Sequence, residues 1–436
     1  MIRAVEKIVQ YGFYLLIFLL PWQTRWIWQP GLLNGGQWEY GSFSIYLVDI
    51  LLIIILIFGW AVYSDRQARS GIFRLLLTVF FFFCFFSVLQ SDDKNIAWYA
   101  VIRLLAMLLL VWFVLKAKFK WHYVGAAFIA SGLIQSVMAI YQFFSQQVIA
   151  SKWLGLAEHR PDILGDFVVE ASSGRFLRAY GSFPHPNMLA GFLVIVIFVL
   201  LGFLIQFYKH RQKKVWQLVL FSGLLVLNAF ALLLTFSRSA LLFFILVFFI
   251  NIAIYLWKNK KLEVKVLSRA AVWLLLVAIA SFLMLPELWQ TRINVQNRLE
   301  AMSLAERTES YEQAGEIILD KWYQGTGIGT YTKELYDQNS TQESWSYQPI
   351  HNIYVLAAAE AGIFGGFFLI IIGIEFFRRH FIYDKKKFND EWMMVFGSAF
   401  FTFMLIGLLD HYLWTLSAGI LMFWLVFALW LRRSMD

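Results

Sequence analysis

The chain has 436 residues and a formal net charge of +9; 60% of it is hydrophobic and only 15% charged, against about 45–50% and about 25% for a soluble domain. That balance excludes an ordinary soluble globule, and it shifts the question from the size of the positive charge to its distribution along the chain. The one cysteine, Cys84, lies in the apolar run FFFCFFSV, so an intrachain disulfide is excluded and thiolate chemistry has no support.

At the N-terminus, MIRAVEK followed by VQYGFYLLIFLLPW has the layout of a secretory signal without a small-residue cleavage site. It reads as a first helix that stays attached. Apolar runs at or near the ~20 residues needed to cross a bilayer follow. They predict spans at 8–22, 43–62, 71–89, 96–115, 122–145, 184–207, 215–234, 239–257, 270–286, 352–377, 391–409 and 414–431.

Basic residues cluster on alternate connections: Arg3 and Lys7; Arg66, Arg69 and Arg74; Lys116, Lys118 and Lys120; Lys209, Arg211, Lys213 and Lys214. The pattern continues with Lys258, Lys260, Lys261, Lys265 and Arg269, then Arg378, Arg379 and Lys385 to Lys387, and ends at Arg432 and Arg433. These are 24 of the 37 basic residues, all in short segments, where the positive-inside rule applies. The expectation is an all-α polytopic integral membrane protein of about twelve transmembrane helices, with both termini cytoplasmic. It forms a single membrane domain over 1–436 with two long extracytoplasmic loops, 146–183 and 287–351, and no internal repeat stands out.

Charges outside the cytoplasmic set escape the topological explanation. Arg175 and Arg178 lie in SSGRFLRAYGSFPHPN, Arg238 in LTFSRSALL, and Arg292, Arg298 and Arg307 in the second long loop. His351 opens HNIYVLAAAEAGIFGG. Guanidinium forks bind phosphate oxygens bidentately, so a pyrophosphate headgroup at this boundary is a natural ligand. Each arginine could equally snorkel or pair with a carboxylate such as Glu306 or Glu309. His351 could serve as a general base or cap a helix with Asn352, and His185, between two prolines, reads as a turn residue. Asp49, Arg103, Glu360 and Asp410 fall within or beside spans, where charge is costly and tends to be functional; an Asp49–Arg103 pair is conceivable. Gly362, Gly365 and Gly366 suggest close helix packing, and the Gly-rich QGTGIGTY reads first as a turn after a helix.

No Walker loop, His/Cys metal cluster, HExxH or outer-loop DxD is present, which argues against a nucleotide-driven pump or a metal-dependent transferase. A transporter or lipid-linked glycan flippase stays open as the alternative. Against it stand the long outer loops, the lack of repeat symmetry between halves, and basic residues at one surface instead of the midplane.

Four segments in order resemble the O-antigen ligase/polymerase superfamily: RAYGSFPHPNMLAGF (178–192), LTFSRSALL (234–242), Arg307 followed by GTGIGTY (325–331), and HNIYVLAAAEAGIFGG (351–366). LLDHYLWT (408–415) is also similar to some members. The shared core covers 175–375. The chain departs in having Ser182 where Thr is common and no Pro before GTGIG. The resemblance implies a GT-C-like fold in the cytoplasmic (inner) membrane. It also implies transfer of a glycan from undecaprenyl pyrophosphate to a lipid-, glycan- or protein-linked acceptor on the outer face, with no cofactor, no metal and no nucleic acid. By motif position it implies His351, Arg238 and Arg307 as catalytic residues, and Arg178, Arg238, Arg307 and Asn187 as ligands of the donor pyrophosphate. It does not separate ligase, polymerase and protein O-oligosaccharyltransferase.

Overall fold

The computed structural model describes residues 2–67, 71–209, 214–293, 298–383 and 390–435. Of the basic residues named above, Arg69, Arg211, Lys213 and Lys385 to Lys387 lie outside the described residues, as does the side chain of Arg298.

A helix accompanies every predicted span. The long ones are α1 (Ile2–Leu19), α2 (Leu47–Tyr63), α3 (Ile72–Gln90), α4 (Lys94–Lys116), α5 (Trp121–Ser145), α6 (Pro186–Lys209), α7 (Val215–Leu234), α8 (Arg238–Trp257) and α9 (Lys261–Met284). The second long connection contributes α10 (Pro286–Ile293), α11 (Arg298–Asp320) and α12 (Tyr331–Gln338). The chain ends with α13 (Ile353–Phe377), α14 (Glu391–Ile406), α15 (Tyr412–Thr415) and α16 (Ser417–Met435). Among the described residues, nine helices are long and apolar enough to cross a membrane, while α2 and α14 are shorter apolar helices of 17 and 16 residues. The remaining one, α1, carries Arg3, Glu6 and Lys7 in its first turns.

The expected all-α fold is nearly but not wholly right, because three two-stranded antiparallel ribbons sit in the connections. They pair β1 (Arg25–Gln29) with β4 (Phe43–Tyr46), β2 (Leu32–Leu33) with β3 (Gly36–Gln37), and β5 (Val168–Ala171) with β6 (Gly174–Leu177). Strands this short leave no periodic apolar run and were invisible in hydropathy. Arg175, one of the arginines singled out from sequence, faces Glu170 across the last ribbon, Nε to Oε1 3.9 Å. Serines at that ribbon's tip, Ser172 and Ser173, donate to Glu287 of α10, so the two long connections are tied together.

The hub is α6. Its apolar stretch is 94% buried, and it packs on α5, α7, α8, α9 and α14. A helix apolar all round belongs inside a bundle, and α6 meets that condition from Met188 to Leu201 without a break. Its first residues therefore stand at the centre of the bundle end that carries the long connections.

The connection between α11 and α12 docks on α13 by backbone pairing. Ala361 and Gly362 leave helical geometry, Gly362 at φ +71°, and so free the carbonyls of Ala359 and Glu360. Thr326 N and Gly327 N donate to them at 2.9 Å each, and Ile363 N donates to Trp322 O at 2.8 Å. Irregular backbone at membrane depth is tolerated where protein satisfies it, as here. A Cβ on Gly362 would lie 2.5 Å from Tyr323 O. This glycine thus admits a loop backbone, where the sequence suggested a neighbouring helix.

Candidate active site

The segment 178–187 enters the bundle as irregular chain, and two glutamines of α5 hold it there. Gln142 accepts from Gly181 N at 2.8 Å and donates to Gly181 O at 2.7 Å. Gln135 accepts from Ser182 N at 2.8 Å. A Cβ on Gly181, which has φ +60°, would lie 2.6 Å from Gln135 Oε1, so the glycine is what lets the side chain approach.

Arg178 is consequently buried at 5% exposure. Its Nε donates to Thr235 O at 2.7 Å, in the turn between α7 and α8. Its Nη2 donates to Asn187 Oδ1 at 2.6 Å, and Asn187 Nδ2 donates to Asp410 at 2.7 Å. Asp410 lies in the bend between α14 and α15, where it also accepts from His411 N at 2.9 Å. Its other neighbour is His351, whose Nδ1 stands 4.0 Å from Asp410 Oδ1. A continuous line therefore runs Arg178–Asn187–Asp410–His351, across residues 178 to 410.

Burial opposes ionisation of Asp410, but the imidazoles around it and the hydrogen bond from Asn187 outweigh that and hold its carboxyl below its ordinary value. Burial pushes the His351 imidazole below its ordinary value; Arg307 adds to this, while Asp410 and Glu306 work against it. Asn352, next in sequence, caps α13 by accepting from Tyr354 N and Val355 N. The capping role thus belongs to Asn352, not to His351. Its Nδ1 is buried without a hydrogen-bond partner, and so is Arg307 Nε. Buried polar atoms are paired in nine cases of ten or more, so both atoms are unusual.

Arg238 heads α8, three residues after the carbonyl that Arg178 binds, and is exposed. Its turn is braced by Arg292, whose Nε donates to Phe236 O at 3.1 Å. The glutamines were missed as site residues, since no motif marks them and only the folded chain brings them to positions 178–187; Arg292 was among the loop arginines singled out from sequence, and His411 lies in the LLDHYLWT segment. His185, read as a turn residue, does accept from Asn187 N at 2.9 Å, yet it also lies among Arg178, Asp410, His351 and His411.

Elsewhere the conceivable pairing of Asp49 with Arg103 is an electrostatic interaction without a direct salt bridge among the described residues. Asp49 accepts from Tyr46 N at 3.1 Å at the start of α2, and Arg103 donates to Tyr99 and Ser417.

Among the described residues, His351, Asp410 and His411 are the group that could hold a metal ion, one atom of each lying within 4.8 Å of the others. Their atoms are largely engaged already. Asp410 accepts from two donors, and His411 Nδ1 is 2.8 Å from Thr415 Oγ1.

Residues 223–370 match the family model described as O-antigen ligase. This match supports an O-antigen ligase superfamily assignment. The matched O-antigen ligase segment takes in the Arg238 turn, Arg307, the glycine loop and His351; Arg178, Asn187 and Asp410 lie outside it. The family and the apolar helices together suggest a multi-pass, glycosyltransferase-like membrane enzyme of O-antigen ligase or polymerase type, acting on a lipid-linked glycan. No curated protein matches the chain.

Proposed function

We propose that this protein transfers a glycan from undecaprenyl pyrophosphate to an acceptor hydroxyl at the extracytoplasmic face of the cytoplasmic membrane, as an O-antigen ligase or polysaccharide polymerase, without a metal. The observation that carries this reading is the line Arg178–Asn187–Asp410–His351 with the two orphaned atoms, His351 Nδ1 and Arg307 Nε, beside it.

In the reaction, the acceptor oxygen bonds to the anomeric carbon while that carbon's bond to the pyrophosphate oxygen breaks. His351, neutral because burial lowers its affinity for a proton, takes the hydroxyl proton. The pyrophosphate leaves with the bonding electrons, and its growing charge is met by Arg238 and Arg307. Buried Arg178, fixed by Thr235 and Asn187, adds a positive charge that cannot move away. Preorganised charge of this kind is worth about 10²–10³ in rate per donor. Asp410, 4.0 Å from His351 Nδ1, stabilises the imidazolium once formed.

A flippase should bind donor without releasing pyrophosphate. The purified protein, given undecaprenyl-pyrophosphate-linked glycan, candidate acceptors and EDTA, should release undecaprenyl pyrophosphate and form a larger glycoconjugate. Arg238→Ala and His351→Ala should each abolish this. Donor binding by the wild type with no release for any acceptor would favour the flippase, and inhibition by EDTA would move the His351–Asp410–His411 group into the role of a metal site.

A further inference from the structure

Near His411 lies a chamber of about 100 Å³ that opens to solvent. Tyr40, Tyr46, Tyr99, Arg103, Glu360 and Trp414 line it. They come from the first connection, from α4, from α13 and from the bend before α16, elements that meet only in the folded chain. Two of these groups are charges carried by apolar helices, and charge in such a helix faces a functional cavity far more often than lipid. The guanidinium of Arg103 is fixed over the Tyr46 and Tyr99 rings, 5.5 and 5.4 Å from their centroids. Glu360 accepts from Trp414 Nε1 at 2.7 Å. Serine and threonine hydroxyls fill the intervals between them.

We propose that this chamber is a sugar-binding subsite, taking the terminal ring of the acceptor glycan. Rings of Tyr and Trp offer flat apolar faces to the C–H face of a pyranose, while a carboxylate accepts from adjacent hydroxyls and a guanidinium donates to them. Cavities lined in this way, apolar with a few placed polar groups, hold small ligands in a fixed orientation.

The chamber's position assigns the occupant to the acceptor. Thr415 lines it and bonds His411 Nδ1 at 2.8 Å; the Tyr40 ring lies 6.1 Å from that of His411, and the His411 ring 4.9 Å from that of His351. A ring seated here lies one imidazole, that of His411, from His351, whereas the Arg178 side of Asp410 remains for the donor. Naming the ring as the acceptor's rests on the transfer reading above; that the chamber binds sugar does not.

Saturation-transfer NMR on the full-length protein, in a detergent without a sugar headgroup, reads occupancy with no transfer step. The probes are glucose, galactose, N-acetylglucosamine and rhamnose. At least one should receive saturation in the wild type and lose most of it in Arg103→Met and in Ile420→Phe, which fills the chamber from α16. The two changes sit on different helices, so if one variant misfolds the other still decides. In the transfer assay the same variants should raise the acceptor KM about tenfold or more and leave the donor KM unchanged. Saturation that survives both changes, or no saturation of any probe in the wild type, overturns the subsite. Sugar binding lost in the variants, with no transfer by the wild type, keeps the subsite and defeats the transfer reading. Transfer with unchanged acceptor KM in both variants does the reverse.

Discussion

Asp410 is joined on one side to a chain of hydrogen bonds ending at a buried arginine and on the other to the imidazole of His351. Its effect on that imidazole gives a signed prediction. As a base, His351 works in its neutral form, so activity falls as pH drops through its pKa, which burial places below the ordinary 6.5. Asp410 pulls this pKa upward and Arg307 pushes it downward. Asp410→Asn should therefore move the acid limb of kcat/KM to lower pH, and Arg307→Gln should move it higher. Limbs that stay put in both variants would remove His351 from the role of base. Individual motif residues were legible in sequence because arginine and histidine at an outer boundary lack a topological reason to be there. What joins them was not: Asn187 and Asp410 are 223 positions apart, and the glutamines on α5 look like ordinary polar interruptions of an apolar span.

Among elements, α13 shows where periodicity stops being informative. Its composition reads as one continuous apolar helix, and the helix is there, but the break at Ala361 and Gly362 leaves no trace in hydropathy. The carbonyls it exposes are satisfied by residues 326 and 327, so the kink and the glycine loop require one another. Gly325, at φ +69°, is the loop's counterpart, since a Cβ there would lie 2.2 Å from Glu360 O. Gly362→Ala or Gly325→Ala should each destabilise the protein by at least about 1–3 kcal/mol, the cost of a residue held in a sparsely populated backbone region. Thermal unfolding in detergent checks this, with Gly223→Ala as control, since a Cβ there meets nothing within 4 Å. Equal midpoints for all three would mean that the docked loop is not part of the cooperative unit. Helix positions were legible throughout because a span of apolar residues has one physical solution in lipid; ribbons and kinks depend on partners.

For the molecule as a whole, the arrangement of basic segments predicts sidedness, which labelling can test directly. Cys84 is buried and the sole cysteine, so Cys84→Ala provides a clean background. Thr341→Cys, exposed in the second long connection, should react with a membrane-impermeant maleimide on intact cells. Lys118→Cys, exposed between α4 and α5, should react only after permeabilisation. Labelling of both positions from the same side would overturn the twelve-span topology with cytoplasmic termini. The bridge through Asn187 and Asp410 carries a last consequence, in the form of thermodynamic linkage. In the proposed reaction one amide group is shared between the arginine on the donor side and the carboxylate on the acceptor side, so a headgroup that draws on Arg178 would alter how firmly Asn187 holds Asp410, and through it the imidazole. Any factor by which donor occupancy changes acceptor affinity must be returned by the acceptor to the donor, so the two substrates report on one another before any bond between them has formed.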